Sequence, residues 1–352
     1  MPHDVVLVVG GAGYVGSVLV AELVQRGRAV RVLDAMWFGE DGLAATRDKV
    51  EVVRGDMRAV PPSAFAGVDA VINVGGLSND PTAEYNPQAN IAINTRASVE
   101  LARRCLEHGV PRYILASSCS IYDRGMSVPN HDALQHEDSP VAPAAAYSVS
   151  KLDAERGVMA LASDRFCPTA LRKGTVFGFS PRMRYDLVVN TFVRDALAKG
   201  VITIHGAGLM WRPLVGVRDA AKAYAACLEA PEDCIRGQVF NLALDNYQIA
   251  DLALRVQQAL SEVEVPCEIR ADHTPRLIRS YRVASKKIED VLGVRAAISV
   301  EESVRDMVSD IRSGASSDFD NPRYYNIAWL KQMVSEAQRE HRRGPLDDPE
   351  PA

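Results

Sequence analysis

Short apolar runs rich in valine and isoleucine recur through the first half of the chain, at Val5–Val9, Val30–Leu33, Val50–Val53, Ala70–Asn73, Tyr113–Ala116 and Thr169–Arg172. Segments of helical period separate them. The longest, Ala89–His108, repeats Ile91, Thr95, Val99, Ala102 and Leu106 and is stopped by Gly109 and Pro111. Strands apolar on both faces and joined by amphipathic helices predict a parallel sheet covered on two sides. After about Thr175 the pattern loosens into loops rich in Arg, Gly and Pro, with helices predicted near Leu187–Lys199, Asp219–Glu229, Ile249–Leu260 and Val300–Ile311. Val239–Leu242 is a candidate for a late return to the sheet. The expected fold is α/β: a doubly wound parallel sheet over residues 1–175, completed by segments near 205–245, with a smaller mixed α/β C-terminal lobe over 176–335. Residues 336–352 read as a polar tail, frayed in its Pro-rich part from Arg342 onward.

Composition narrows the class. Of 352 residues, 47% are hydrophobic and 24% charged, which excludes a disordered or collagenous chain. Forty Lys+Arg against forty-five Asp+Glu give a net charge of −5, so no global positive field draws nucleic acid or an anionic membrane. Any polyanion has to be bound locally. The six cysteines form no CxxC pair, which fits a reducing cytoplasm and suggests neither a zinc site nor a disulfide framework. The apolar run Val5–Val9 is too short for a signal peptide or a spanning helix. In the insertion Arg124–Asp138, His131 and His136 lack the helical carboxylate–histidine spacing of a metal site and read as surface loop.

The first strand runs directly into Gly10-Gly11-Ala12-Gly13-Tyr14-Val15-Gly16, opening a helix that extends to Gly27. Glycines at 10, 13 and 16 permit a tight turn, close approach of the backbone to a pyrophosphate, and tight helix–strand packing; the helix N-terminus supplies N–H donors. A dinucleotide fits there. Asp34 closes the second strand, where a carboxylate accepts from the adenosine ribose and repels a 2′-phosphate, favouring NAD over NADP. Asp56 and Met57, after the third strand, are candidates to flank the adenine.

Tyr147 and Lys151 begin a helix, and a spacing of four puts phenol and ammonium on one face. A phenol is a poor base near neutrality unless a cation stabilises the phenolate. Upstream, Tyr113–Ala116 ends in Ser117-Ser118-Cys119-Ser120, placing hydroxyls at the sheet edge where open α/β sheets bind ligands. Arg182, Arg184, Arg212, Arg276, Arg279 and Arg282 lie in loop-like settings of the second lobe, and arginine is the usual bidentate partner of phosphate.

Taken together, the glycine loop, the serine cluster and the Tyr147–Lys151 pair resemble the extended short-chain dehydrogenase/reductase family, in its NAD-dependent nucleotide-sugar epimerase/dehydratase branch, over roughly Val5 to Arg312. The resemblance implies a Rossmann-type domain binding NAD through Gly10, Gly13, Tyr14, Val15, Gly16, Asp34, Asp56, Met57, Val74, Gly75 and Lys151, and a C-terminal lobe binding a nucleotide-diphosphate sugar. It implies Tyr147 as general acid/base, Lys151 as the residue that holds the nicotinamide ribose and lowers the tyrosine pKa, and Ser118 as the group orienting the reacting hydroxyl, with Ser117 the alternative. For the substrate it implies Ser78 and Asn79 facing the sugar, and Thr175, Arg182, Asn190, Arg212 and Arg279 along the phosphates, with Arg212 foremost. Thr175 stands where many relatives carry Asn, and Lys173 where an aromatic or Asn is common beside the nicotinamide. Relatives commonly dimerise through the Ala89–His108 helix and the helix carrying Tyr147, so a homodimer is expected.

The family's 4,6-dehydratases carry an acid pair just after the catalytic Ser/Thr, where this chain has Cys119 and Ser120. Dehydration, and decarboxylation by the related Glu-bearing enzymes, are therefore disfavoured. The branch's 3,5-epimerases need Cys at position 120, one place beyond Cys119. The expectation is an NAD-dependent 4-epimerase working through a transient 4-keto intermediate, on a substrate of the UDP-glucose or UDP-glucuronate type. The alternatives are an NAD(P)H-dependent 4-ketosugar reductase, a 3,5-epimerase, and a non-catalytic cofactor-sensing protein.

Overall fold

The computed structural model describes residues 5–123, 133–274 and 279–349; His131 and Arg276 lie outside the described residues. The strands of the two larger sheets are β1 (Val5–Val9), β2 (Ala29–Asp34), β3 (Val50–Arg54), β4 (Val68–Asn73), β5 (Arg112–Ser118), β6 (Cys167–Lys173), β7 (Thr175–Phe177), β8 (Trp211–Gly216), β9 (Gln238–Leu242) and β10 (Asp245–Gln248). The longer helices are α1 (Tyr14–Gln25), α2 (Ser98–Glu107), α3 (Ala146–Met159), α4 (Val188–Lys199), α5 (Val217–Glu229), α6 (Ile249–Glu262), α7 (Val300–Arg312) and α8 (Asn326–Arg339).

Seven strands form one parallel sheet in the order β3-β2-β1-β4-β5-β6-β9. Its strands are apolar on both faces because both are covered. Val6 and Val8 of β1 join the core under α1 and α5, while Leu7 and Val9 face α2 and α3. The order reverses at β1, so the chain leaves β1 and β4 in opposite senses and a crevice opens at their C-terminal ends. The late strand β9 returns beside β6, bringing the sheet to seven strands.

The second lobe is built on a three-stranded sheet, β10-β8-β7, packed with α4, α6 and α7. The single helix expected over Ala89–His108 is divided: Pro87–Asn90 is α-helical, Ile91–Ala97 is π-helical, and α2 follows. The widened turn coincides with two inward asparagines, Asn90 and Asn94, whose side chains bond each other at 2.7 Å. The C-terminal reading needs correction. α8 continues to Arg339, and the chain beyond it is docked rather than frayed: Arg58 donates to the Pro345 carbonyl at 3.0 Å, and Leu346 packs in the cluster of Leu77, Ile93 and Leu330. Among the described residues no helix is long and apolar enough to cross a membrane.

Candidate active site

The loops after β1, β2, β4, β5 and β6 wall a cleft of about 360 Å³ at the C-terminal edge of the sheet. Gly10 takes φ +78°, and a Cβ on it would stand 2.6 Å from Gly75 Cα, so the loops after β1 and β4 meet as closely as they do only as glycines. Gly13 caps α1, and with Tyr14 and Val15 it lines the cleft, bringing the free N–H groups of the first helical turn to its wall. Gly16 lies behind them; a Cβ there would be 2.0 Å from the Gly10 carbonyl oxygen. It permits the packing and does not line the cleft.

Asp34 accepts from Ala12 N at 3.0 Å on Oδ2 and from Met36 N at 2.8 Å on Oδ1. Burial raises its pKa against the pull of those amides. Each oxygen keeps a lone pair for a ribose hydroxyl, and the charge opposes a 2′-phosphate, so this donor set fits NAD. Val74, Gly75 and Met57 complete the wall. Asp56 also lines it, with its carboxylate held by Arg58 at 2.7 Å. The Tyr14 ring lines the cleft while its hydroxyl donates to the Gly178 carbonyl at 2.6 Å.

At the other end Ser118, Tyr147 and Lys151 come together. Ser118 stands near enough to Tyr147 to pull its pKa down, the hydroxyls of Ser118, Ser120 and Ser148 are linked at 2.9 and 3.0 Å, and Lys151 Nζ donates to the Ala116 carbonyl at 2.9 Å. Ser117, the alternative to Ser118, is fully buried and donates to Glu155 at 2.6 Å, away from the cleft. Cys119 is likewise buried, its thiol donating to the Arg172 carbonyl at 2.8 Å and pushed up in pKa by burial. The only carboxylates among the described lining residues are Asp34 and Asp56, both at the β2–β3 side.

Burial raises the Tyr147 pKa, with Arg279, Ser118 and Arg184 pulling against it. Burial, reinforced by nearby Lys173, pushes Lys151 down to about 7. An unfolded lysine titrates at about 10.4, so between pH 7 and 10 the unfolded chain holds a proton that the native chain lacks and stability rises with pH. Cofactor-free protein is expected to gain roughly 2 kcal/mol from Lys151 between pH 7 and pH 9. Urea denaturation at the two pH values should show this gain in the wild type and not in Lys151→Met; parallel behaviour of the two chains would contradict the assignment.

The second lobe contributes Thr175, Arg182, Arg184 and Arg279 to the cleft wall. Arg182 stacks 3.7 Å from the Phe38 ring centroid and donates to Asn326 Oδ1 at 2.6 Å, which places it on the β2-loop side. Arg279 donates to Ser148 at 3.1 Å and pairs with Asp80, which places it beside Tyr147. Ser78 accepts from Arg184 and from Asn326, each at 2.9 Å, leaving its own proton free to donate. Asn79 lines the cleft but caps the Asp80–Tyr85 helix through Oδ1 and donates to Asp186 at 3.0 Å.

Two expected substrate residues do not reach the cleft. Asn190 is fully buried; Gly178 N donates to its Oδ1 at 2.9 Å, and its Nδ2 donates to the Arg184 carbonyl at 2.9 Å and Tyr14 Oη at 3.1 Å. Its amide is satisfied within the protein, so it braces the Arg184 loop. Arg212 donates to the carbonyls of Trp211 and Arg279 and lies 5.5 Å from the Tyr281 ring centroid, so it props the Arg279 segment from behind.

Three features escaped the sequence reading. Arg184 and Asp186 form a bidentate pair at 2.9 and 3.0 Å. Asn94 clamps Leu77 through its N–H and carbonyl at 2.8 and 2.9 Å, fixing the loop that carries Ser78; the four-residue spacing of Asn90 and Asn94 was its one available signal. Asn326, at the start of α8, lines the cleft although it lies beyond the part of the chain covered by the family likeness.

The fold and the cleft together define a nucleotide-binding α/β protein with a Ser–Tyr–Lys cluster at the sheet edge. The chain belongs to the NAD dependent epimerase/dehydratase family, whose model matches residues 6–243. It is similar to UDP-glucuronic acid decarboxylase 1 of Arabidopsis thaliana, 26% identical over 318 residues that cover 88% of this chain and 70% of that protein. Among solved structures it resembles MoeE5 in complex with UDP-glucuronic acid and NAD, at 25% identity and TM-score 0.74, covering 88% of this chain and 99% of that one. A UDP-glucose-4-epimerase from Stenotrophomonas maltophila with bound NAD and formylated UDP-arabinopyranose shares the fold at 21% identity and TM-score 0.78, covering 90% of this chain and all of that one. Family membership agrees with the NAD expected from Asp34 and the glycine loop.

Proposed function

We propose that this chain is an NAD-dependent nucleotide-sugar 4-epimerase. The observation that carries the reading is the make-up of the reacting end: Ser118, Tyr147 and Lys151 stand together, Cys119 faces away into β6, and no carboxylate among the described residues lines that end. Removing water across C5–C6 requires a further acid and base, and 3,5-epimerisation requires a second proton-transfer group on the ring; inversion at C4 requires only the one phenol. NAD supplies the hydride acceptor and donor.

Gly10, Gly13, Val15, Asp34, Met57, Val74, Gly75 and Lys151 hold the cofactor in this reading, and Arg182 and Arg279, with Thr175 and Ser78, hold the nucleotide diphosphate and sugar. Ser118 orients the C4 hydroxyl. Tyr147 takes its proton and later returns it to the C4 oxygen of the reoriented sugar, whose opposite face is then presented for hydride return, while the ammonium of Lys151 stabilises the phenolate. A homodimer through the 87–107 segment and α3 is part of the reading; Ile91 and Val149 on these segments remain 38% and 37% exposed in the single chain.

The test denatures freshly purified protein to identify the released dinucleotide. Intact protein is then incubated, without added cofactor, with UDP-, dTDP-, GDP- and CDP-linked hexoses and hexuronic acids, and C4 configuration is followed by NMR. Released NAD with inversion of one sugar is expected. NADPH-dependent consumption of a 4-keto sugar with no inversion would replace this reading with the reductase.

A further inference from the structure

Lys173 closes β6 in register with Ser118 of β5, so it stands beside the group read as orienting the reacting hydroxyl, and it lines the cleft. Its ammonium has three donors, and among the described residues the one hydrogen bond it makes is to the Ser117 carbonyl at 3.3 Å. The carboxylates nearby are engaged elsewhere: Asp186 with Arg184, Asp80 with Arg279, and Glu155 with Arg172. Each of these three arginines has its own acid. Lys173 has none among the described residues; the ionisable neighbours that act on it are Cys119 and Arg184, and it in turn acts on Lys151. Burial and Arg184 push Lys173 down to about 8, as expected of a cation that lacks a counter-ion.

Resting on the 4-epimerase reading, we propose that Lys173 is a specificity residue that binds a carboxylate carried on C5 of the sugar, and that the substrate is a nucleotide-linked hexuronic acid. The bonding order of the sugar supports the placement. With the C4 hydroxyl at Ser118 and Tyr147, the diphosphate on C1 lies across the ring, whereas C3 and C5 flank the reacting carbon, and of these two only C5 bears an exocyclic carbon that can be a carboxylate. A cation in register with Ser118 and without an acid among the described residues therefore points to C5. A carboxylate there supplies the missing counter-ion and accepts the two unused N–H donors.

The test measures equilibrium binding by calorimetry on NAD-loaded Tyr147→Phe protein, which separates binding from turnover. The ligands are the UDP- and dTDP-linked pairs of glucuronate and glucose, compared in this background and with Lys173→Met or Lys173→Arg added. A charged hydrogen-bonded pair implies tighter binding of the glucuronate, a loss of about 10- to 100-fold for glucuronate in Lys173→Met, less than about threefold change for glucose, and retained preference in Lys173→Arg. No preference for glucuronate, or equal loss of both ligands in Lys173→Met, would overturn the assignment. If glucuronate binding depends on Lys173 but the wild type releases CO2 rather than inverting C4, the epimerase reading falls and Lys173 keeps its role. If a neutral hexose is inverted with no dependence on Lys173, the reverse holds.

Discussion

Tyr147→Phe is expected to lower the rate of C4 inversion by about 10²-fold to 10⁴-fold, with NAD content and nucleotide-sugar affinity held within about threefold. The size follows from what else stands at the reacting end. Ser118 is a hydroxyl whose own proton is far harder to remove than a phenol's, Lys151 is engaged with the Ala116 carbonyl, and Cys119 points into β6 with its thiol pKa raised. Of the other groups there only the amines of Lys151 and Lys173, pushed down to about 7 and about 8, can take a proton near neutral pH, and both Nζ atoms donate to main-chain carbonyls. Burial raises the Tyr147 pKa, so its phenolate depends on the surrounding cations, of which Arg279 and Arg184 already act on it. The wild-type rate should therefore rise with pH up to the point where Lys151 loses its charge. Single-turnover NMR with matched NAD loading measures the loss directly. A Phe variant within tenfold of the wild type would remove Tyr147 from the proton transfer.

Much of this arrangement is visible in the sequence because it rests on local rules. A strand buried on both faces has to be an apolar run, a glycine at φ +78° has to be glycine, and a phenol and an ammonium four apart share a helix face. Hence β1, the Gly10 loop, Asp34 and the Tyr147–Lys151 pair can all be placed without coordinates. Asn190 and Arg212 follow no such local rule. Their residue types suit phosphate, but whether an amide or guanidinium meets a ligand or a protein carbonyl depends on what the fold puts opposite, and here Gly178, Arg184 and Arg279 are opposite. The same limit applies to α8: Asn326 meets Ser78 and Arg182 from 248 and 144 residues away, a pairing no local pattern encodes. Lys173 lies between the two cases. The residue is conspicuous in the chain, but its lack of a counter-ion among the described residues emerges only when Asp186, Asp80 and Glu155 are seen to be paired with arginines.

Glu155→Gln should destabilise the protein by about 3–5 kcal/mol, because it leaves a buried guanidinium without its charge partner. Glu155 and Arg172 are paired at 2.6 Å with side chains only 4% and 7% exposed, and Arg172 also donates to Tyr122 Oη at 2.6 Å and the Glu137 carbonyl at 3.1 Å. Glu155 accepts the Ser117 hydroxyl at 2.6 Å as well, so one carboxylate in α3 ties the ends of β5 and β6 together directly beneath Ser118 and Lys173. Losing the charge therefore weakens the frame on which the cleft's hydroxyl and ammonium are mounted, and inversion should slow even at temperatures where the variant stays folded. Urea denaturation of the wild type, Glu155→Gln, Arg172→Met and the double variant separates the terms. If the single losses arise from an uncompensated buried charge, the double variant is more stable than the sum of the two losses predicts, by well over 1 kcal/mol as an order of magnitude. Strict additivity would mean that the pair contributes packing alone and that its charges do not hold the two strands.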